Sequence, residues 1–293
     1  MPVGPQETDD ITPQLSKEEA IAIMRNGLGD YELKNIATFC APIYWVIGRN
    51  PDRTPISRNG TVFFLDAGEG VFGVTACHVI HGFIRDRKVG AGPLCIATNG
   101  APMQIDWDAR RIDEHSAIDI ATFRVTPDEV RQLGKVPLTG YQKTWPSKPP
   151  AKNCGLYYCG YPSAGTNPLS PGALSFGAVR GSGVATSIND RDVVTLFERH
   201  YWIAESGQDI PPENFDYGGI SGGLMLTVIQ TASIRSWSLA GTIYEGPSTS
   251  EALGEAIAGF EVLRARRAHF LYPNGTLDTA MWYVFGGGPH VPP

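Results

Sequence analysis

Three short segments of the chain have residue types that could carry out covalent chemistry. The first is Gly218-Gly219-Ile220-Ser221-Gly222-Gly223-Leu224. A serine nucleophile needs an exposed Oγ and backbone N–H groups aimed at the oxyanion that develops on its target. Glycines on both sides permit the tight turn and the close backbone approach this requires. The second is Thr75-Ala76-Cys77-His78, where a histidine follows an apolar run at a strand exit; there it could serve as a general base, although a lone histidine is more often a hydrogen-bonded core residue. The third is Ala117-Ile118-Asp119-Ile120-Ala121-Thr122-Phe123. A carboxylate inside an apolar, strand-like run is costly unless it has a partner, and that cost singles out Asp119. Asp113, among polar neighbours, reads as a loop residue. Each segment alone is ambiguous. Together, in the order His78, Asp119, Ser221, they are a far stronger signal than any one of them.

Those residues need a scaffold, and the remainder of the chain outlines one. The 293 residues, 42% hydrophobic and 18% charged, suffice for one large domain or two small ones sharing a cleft. Thirty-four glycines and 23 prolines imply many turns and an all-β chain. Residues 1–35 read as an N-terminal extension with a short helix, opened by a capping box of Ser16 and Glu19 and running to about Leu28-Gly29. Short apolar runs at 42–48, 61–66, 71–76, 93–98 and 117–125 mark a first barrel over 36–128. A polar, proline-containing linker spans 129–150. Runs at 154–160, 173–180, 193–204, 223–229 and 238–244 mark a second barrel over 151–248. From Glu251 the spacing of Leu253, Ala256, Ile257, Phe260 and Leu263 predicts a helix, with Arg264, Arg266 and Arg267 at its C-terminal end as solvated cations. Residues 249–293 are thus expected as a C-terminal helix and tail. The fold class expected is two six-stranded antiparallel β-barrels followed by that helix.

The net charge of −6 disfavours a nucleic-acid partner, and no apolar run is long enough for a membrane span. The N-terminal segment is too polar for a secretory signal. Cys40, Cys77, Cys95, Cys154 and Cys159 are odd in number and show no zinc-site spacing. They read as reduced thiols of a cytoplasmic protein with no metal and no cofactor. His81 lacks the companion residues of a zinc helix. Asn59-Gly60-Thr61 fits a glycosylation sequon and, equally, a turn.

The segments Thr75-Ala76-Cys77-His78-Val79, Asp119-Ile120-Ala121 and Gly219-Ile220-Ser221-Gly222-Gly223 together resemble the chymotrypsin-like (trypsin-like) serine proteases, bacterial members in particular, with Gly160-Tyr161-Pro162 a further shared feature. The resemblance covers about residues 40–248 and a C-terminal helix. It implies a serine endopeptidase acting on protein or peptide substrates. His78 would be the general base, Asp119 would hold its tautomer, Ser221 would be the nucleophile, and the N–H groups of Gly219 and Ser221 would form the oxyanion hole. It also implies a substrate pocket lined by Phe215, Asp216, Tyr244, Glu245 and Gly246, with Asp216 or Glu245 as candidates for recognising a basic side chain. Ile220 stands where trypsin-type zymogens carry an aspartate, so activation by insertion of a new N-terminus is not expected. Restraint would then come from substrate selectivity or a regulatory protein partner, for which the N-terminal extension is a candidate docking segment. Two other readings compete. One is a catalytically inactive binding protein of the same fold. The other is a serine esterase, whose nucleophile elbow would need a helix directly after Ser221.

Overall fold

The computed structural model describes residues 16–98, 100–139, 145–146, 148–170, 172–196, 211–212, 215–231, 234–246 and 262–285. The first half contains β1 (Cys40–Arg49), β2 (Pro55–Asp66), β3 (Val71–Thr75), β4 (Leu94–Ile96), β5 (Met103–Ile105), β6 (Arg111–His115), β7 (Ile120–Arg124) and β8 (Leu138–Thr139). The second contains β9 (Gly155–Gly160), β10 (Thr166–Ser170), β11 (Ala173–Phe176), β12 (Val179–Ile188), β13 (Asp192–Leu196), β14 (Leu224–Thr231), β15 (Ile234–Glu245) and β16 (Val262–Arg267). Among the described residues the helices are few and short: α1 (Lys17–Ile23), α2 (Gly29–Ile36), α3 (Cys77–Arg87), α4 (Trp107–Arg110), α5 (Pro127–Gln132) and α6 (Thr279–Val284).

Strands β12-β13-β16-β15-β14-β9 close into a six-stranded antiparallel barrel. The first half forms an eight-stranded sheet in the order β5-β4-β1-β2-β3-β7-β6, with β8 pairing parallel to β2. A closed barrel beside a half-barrel sheet fits the expected chymotrypsin-like double barrel, except that among the described residues the first half stays open.

Two-residue periodicity explains how the halves share one core. Along β2, Phe63 and Leu65 point to a cluster that also holds Tyr157 and Cys159 of β9, Leu224 and Leu226 of β14, and Leu33 and Ile36 of α2. The intervening Val62 and Phe64 face the other side of the sheet, against Ile80 and Phe83 of α3. Leu156 and Tyr158 of β9 turn instead into the closed barrel with Met225, Ile243 and Leu263. Strands buried on both faces read as unbroken apolar runs, which is how TVFFLD and GLYYCG look in the sequence.

The N-terminal helix begins at the expected capping box, in which Glu19 N–H donates to Ser16 Oγ and Ser16 N–H to Glu19 Oε2 (3.2 and 2.8 Å). It does not stop at Gly29. A kink at Gly27, with φ of 103°, leads into α2. Helix α2 is held by the shared core and by a 2.7 Å bond from Trp237 Nε1 to Glu32 Oε2. Leu33 and Ile36 are covered by the chain's own second barrel, so this part of the extension completes the fold; residues 1–15 lie outside the described residues.

The expected helix from Glu251 is corrected at its far end. Leu253, Ala256, Ile257 and Phe260 lie outside the described residues, but Leu263, Arg264, Arg266 and Arg267 belong to strand β16, which pairs with both β13 and β15. Without this strand the second barrel would not close, and hydrogen bonding to two neighbours outweighs local helical spacing. The second barrel therefore extends past residue 248, and the C-terminal helix is α6, capped by Asp278 Oδ1 accepting from Met281 N–H.

Candidate active site

His78 does not end a strand. It lies in the first turn of α3, a helix the sequence reading missed because its apolar residues Val79, Ile80 and Phe83 give only a short periodic stretch. Asp119 is likewise not embedded in β7. It occupies the last position of the turn between β6 and β7, with φ of 60°, a left-handed conformation that aspartate tolerates better than most residues. That turn aims the carboxylate back at α3. Asp119 Oδ2 accepts from His78 Nδ1 at 2.7 Å and Oδ1 from the His78 backbone N–H at 2.9 Å. Two bonds to one residue lock the imidazole plane, place the proton on Nδ1 and leave Nε2 as the basic nitrogen. Partial burial disfavours the imidazolium, but the Asp119 hydrogen bond and charge outweigh it and hold the His78 pKa above its ordinary value.

The serine loop comes from the other barrel and is shaped by β2. Thr61 N–H donates to the Ser221 carbonyl and Thr61 Oγ1 to the Gly219 carbonyl, each at 2.9 Å. Thr61 Oγ1 also accepts from Tyr161 N–H at 2.8 Å, and Asn59 Nδ2 donates to the Tyr161 carbonyl at 2.6 Å. Ser163 N–H donates to the Gly218 carbonyl. Gly222, at φ of 88°, lies so close to β2 and β3 that a Cβ there would stand 2.0 Å from the Thr61 carbonyl oxygen and 3.0 Å from the Ala76 nitrogen. The serine loop is thus pressed onto the residues that lead into His78. The Asn59-Gly60-Thr61 string, read as a turn or sequon, is instead buried mid-strand in β2, where Asn59 and Thr61 brace this loop.

Ser221 is buried, and its Oγ donates to the Tyr244 carbonyl at 3.1 Å. Among the described residues it makes no hydrogen bond with His78. The Ile220 and Gly222 N–H groups are taken up by the Tyr217 and Ile243 carbonyls, whereas those of Gly219 and Ser221 have no protein acceptor among the described residues. After Gly223 the chain enters β14, not a helix, which removes the nucleophile elbow that the esterase reading requires.

The residues expected to line a substrate pocket are drawn around this loop, with Glu245 in an ion pair and Asp216 exposed in a local turn. Asp216 Oδ1 accepts from Gly218 N–H at 2.8 Å. Glu245 stands opposite Arg264 across β15 and β16, with a 3.2 Å ion pair. The Phe215 and Tyr217 rings meet edge-on at 4.9 Å, and Gly246 abuts Tyr217 and Ile220 so closely that a Cβ would be about 3 Å from each. Tyr244 turns its ring away under Arg266, whose guanidinium carbon lies 4.5 Å from the ring centroid.

Arg266 is the site component the sequence reading assigned wrongly. Instead of a solvated cation at a helix end, it is a buried residue in the seam between the halves. Its Nε donates to the Ile118 carbonyl at 2.7 Å, next to Asp119, and its Nη1 pairs with Asp192 at 2.6 Å. Trp282 of α6 covers the guanidinium from another side, 4.7 Å from ring centroid to carbon. Nothing in the local sequence marked Arg266 apart from Arg264 and Arg267.

No family model and no curated protein matches this sequence. Among solved structures, the crystal structure of the serine protease domain of the Sesbania mosaic virus polyprotein is similar at 15% identity and a TM-score of 0.36, covering 78% of this chain and 94% of that one. A structure from work on the coupled folding and binding of the intrinsically disordered Sesbania mosaic virus VPg protein is similar at 14% identity and a TM-score of 0.38, covering 78% and 92%.

Proposed function

We propose that the chain is a serine endopeptidase in which Ser221 attacks the peptide carbonyl, His78 Nε2 takes the serine proton and returns it to the leaving amine, and Asp119 holds the imidazole and balances its charge. The observation that carries this reading is the doubly bonded His78–Asp119 pair with the Ser221 loop packed against the same turn. In the resting geometry Ser221 Oγ is parked on the Tyr244 carbonyl. For the attack, rotation about its χ1 would have to bring it to His78 Nε2, in keeping with catalytic hydrogen bonds that tighten only when substrate binds. The free N–H groups of Gly219 and Ser221 would then receive the carbonyl oxygen as it becomes an anion. The acyl-enzyme so formed is hydrolysed by water, activated by the same histidine.

Glu245 is paired with Arg264, so of the two acids only the exposed Asp216 is left to meet a basic side chain at the cleavage position. Restraint by a narrow substrate range or a regulatory partner remains part of the reading. The parked serine also favours a second one, a protease-fold binding protein without activity. A fluorophosphonate probe separates them. Labelling of the wild type, lost in both Ser221→Ala and His78→Ala, supports the endopeptidase. No labelling of the folded wild type overturns it in favour of the binding protein.

A further inference from the structure

Beside the His78–Asp119 pair, and using neither residue, three side chains converge on one point. Cys77 and His81 stand four residues apart on α3 and so share a face of the helix. Glu114 comes from β6, which pairs with β7 alongside the start of α3. The Cys77 sulfur, a His81 ring nitrogen and a Glu114 carboxylate oxygen all lie within 4.8 Å of one another.

The spacing matches a metal's requirements. Zinc takes sulfur at about 2.3 Å and imidazole nitrogen at about 2.0 Å in tetrahedral geometry, which puts those two ligand atoms about 3.5 Å apart. Cys77 Sγ and His81 Nε2 are separated by 3.5 Å. Glu114 divides its carboxylate: Oε1 pairs with Arg111 at 2.8 Å, while Oε2 is buried and has no hydrogen-bond partner. A buried carboxylate oxygen left bare is an exception that calls for a ligand. His81 is exposed, so an ion could enter from the surface and keep a water as its fourth ligand.

We propose that Cys77, His81 and Glu114 form a binding site for one zinc-like divalent cation, tying the first turn of α3 to β6. The ion would join the element that carries His78 to the strand that leads into the Asp119 turn. No local motif announces such a site, because Glu114 reaches it only through the fold and the Cys77–His81 spacing matches no zinc-site pattern in the sequence.

Cobalt(II) titrated into the full-length protein tests this without reference to any enzymatic activity. Tetrahedral thiolate ligation gives a near-ultraviolet charge-transfer band together with intense visible bands. These are expected to saturate at one equivalent and to be bleached by zinc. Cys77→Ser should abolish the charge-transfer band. His81→Ala, at an exposed position that folding does not depend on, should weaken cobalt binding by tenfold or more, as should Glu114→Gln. Absence of the band in the wild type, its survival in Cys77→Ser, or undiminished binding by His81→Ala would each overturn the proposal. Fluorophosphonate labelling of metal-free protein is a separate readout, so failure here leaves the endopeptidase reading standing, and the reverse also holds.

Discussion

Replacing Arg266 by methionine removes a charge from the seam between the two halves while roughly preserving side-chain length. In the folded protein the Arg266 side chain is 8% exposed and its partner Asp192 15%, so solvent screens the pair weakly. Removing one member of a buried ion pair costs about 3–5 kcal/mol, because the other charge is left uncompensated. The charged hydrogen bond to the Ile118 carbonyl, about 1.5–3 kcal/mol in general, belongs to the same network and is not simply additive. Arg266→Met is therefore expected to destabilise the protein by at least about 3 kcal/mol. Adding Asp192→Asn should recover part of that loss, since the stranded carboxylate disappears. Urea unfolding followed by tryptophan fluorescence reads the effect, and Trp282, stacked on the guanidinium, makes the signal local to the seam. Under conditions where Arg266→Met is still folded, labelling of Ser221 should also slow, because the Ile118 carbonyl no longer has the bond that positions the Asp119 turn. A loss below about 1 kcal/mol, the range of an exposed pair, would refute the assignment of Arg266 to the seam.

Two further outcomes follow from the site geometry. The raised His78 pKa means that the folded state binds this proton more tightly than the unfolded chain does. The His78–Asp119 pair therefore contributes stability that is fully present below the ordinary imidazole value of 6.5 and is lost as pH rises through the higher folded value. NMR titration should place His78 above 6.5 in the wild type, with Asp119→Asn lowering it; an unchanged midpoint would remove Asp119 as the cause. Gly222→Ala should cost about 1–3 kcal/mol for forcing a methyl against the Thr61 carbonyl and about 1–2 more for its left-handed backbone. Wild-type thermal stability in that variant would contradict the tight docking of the serine loop.

The site was legible where chemistry and backbone needs coincide in a few adjacent residues. Glycines around Ser221 announce a tight loop whatever its partners, and a lone acid in an apolar run announces a partner. What stayed hidden depends on residues distant in sequence. Glu245 looked free to bind a cation, because the pairing of β15 with β16 that delivers Arg264 to it leaves no local mark. Arg264, Arg266 and Arg267 looked like one basic cluster, whereas the Ile118 carbonyl and the Trp282 ring, brought in by the fold, bury Arg266 most deeply of the three. Asn59 and Thr61 were obscured by a turn-like dipeptide inside a long strand. The strand runs of both halves were readable because sheets buried on both faces keep continuous apolar character. Closure of the second barrel through β16 was not, since that strand lies where the local spacing predicts a helix.

The pair of bonds from Thr61 to the Ser221 loop carries a consequence for the life of the chain before and after folding. The half bearing His78 and Asp119 is synthesised first and emerges without a nucleophile. The Ser221 loop, made later, gets its shape from a strand in that earlier half, since the Ser221 and Gly219 carbonyls are satisfied by Thr61. Under the proposed function, a nascent or partly opened molecule is then chemically silent: separation of the halves and loss of the reactive serine are one event. Molecules that fail to assemble cannot cut their neighbours, and probe labelling of Ser221 reports in a single step that both halves have docked.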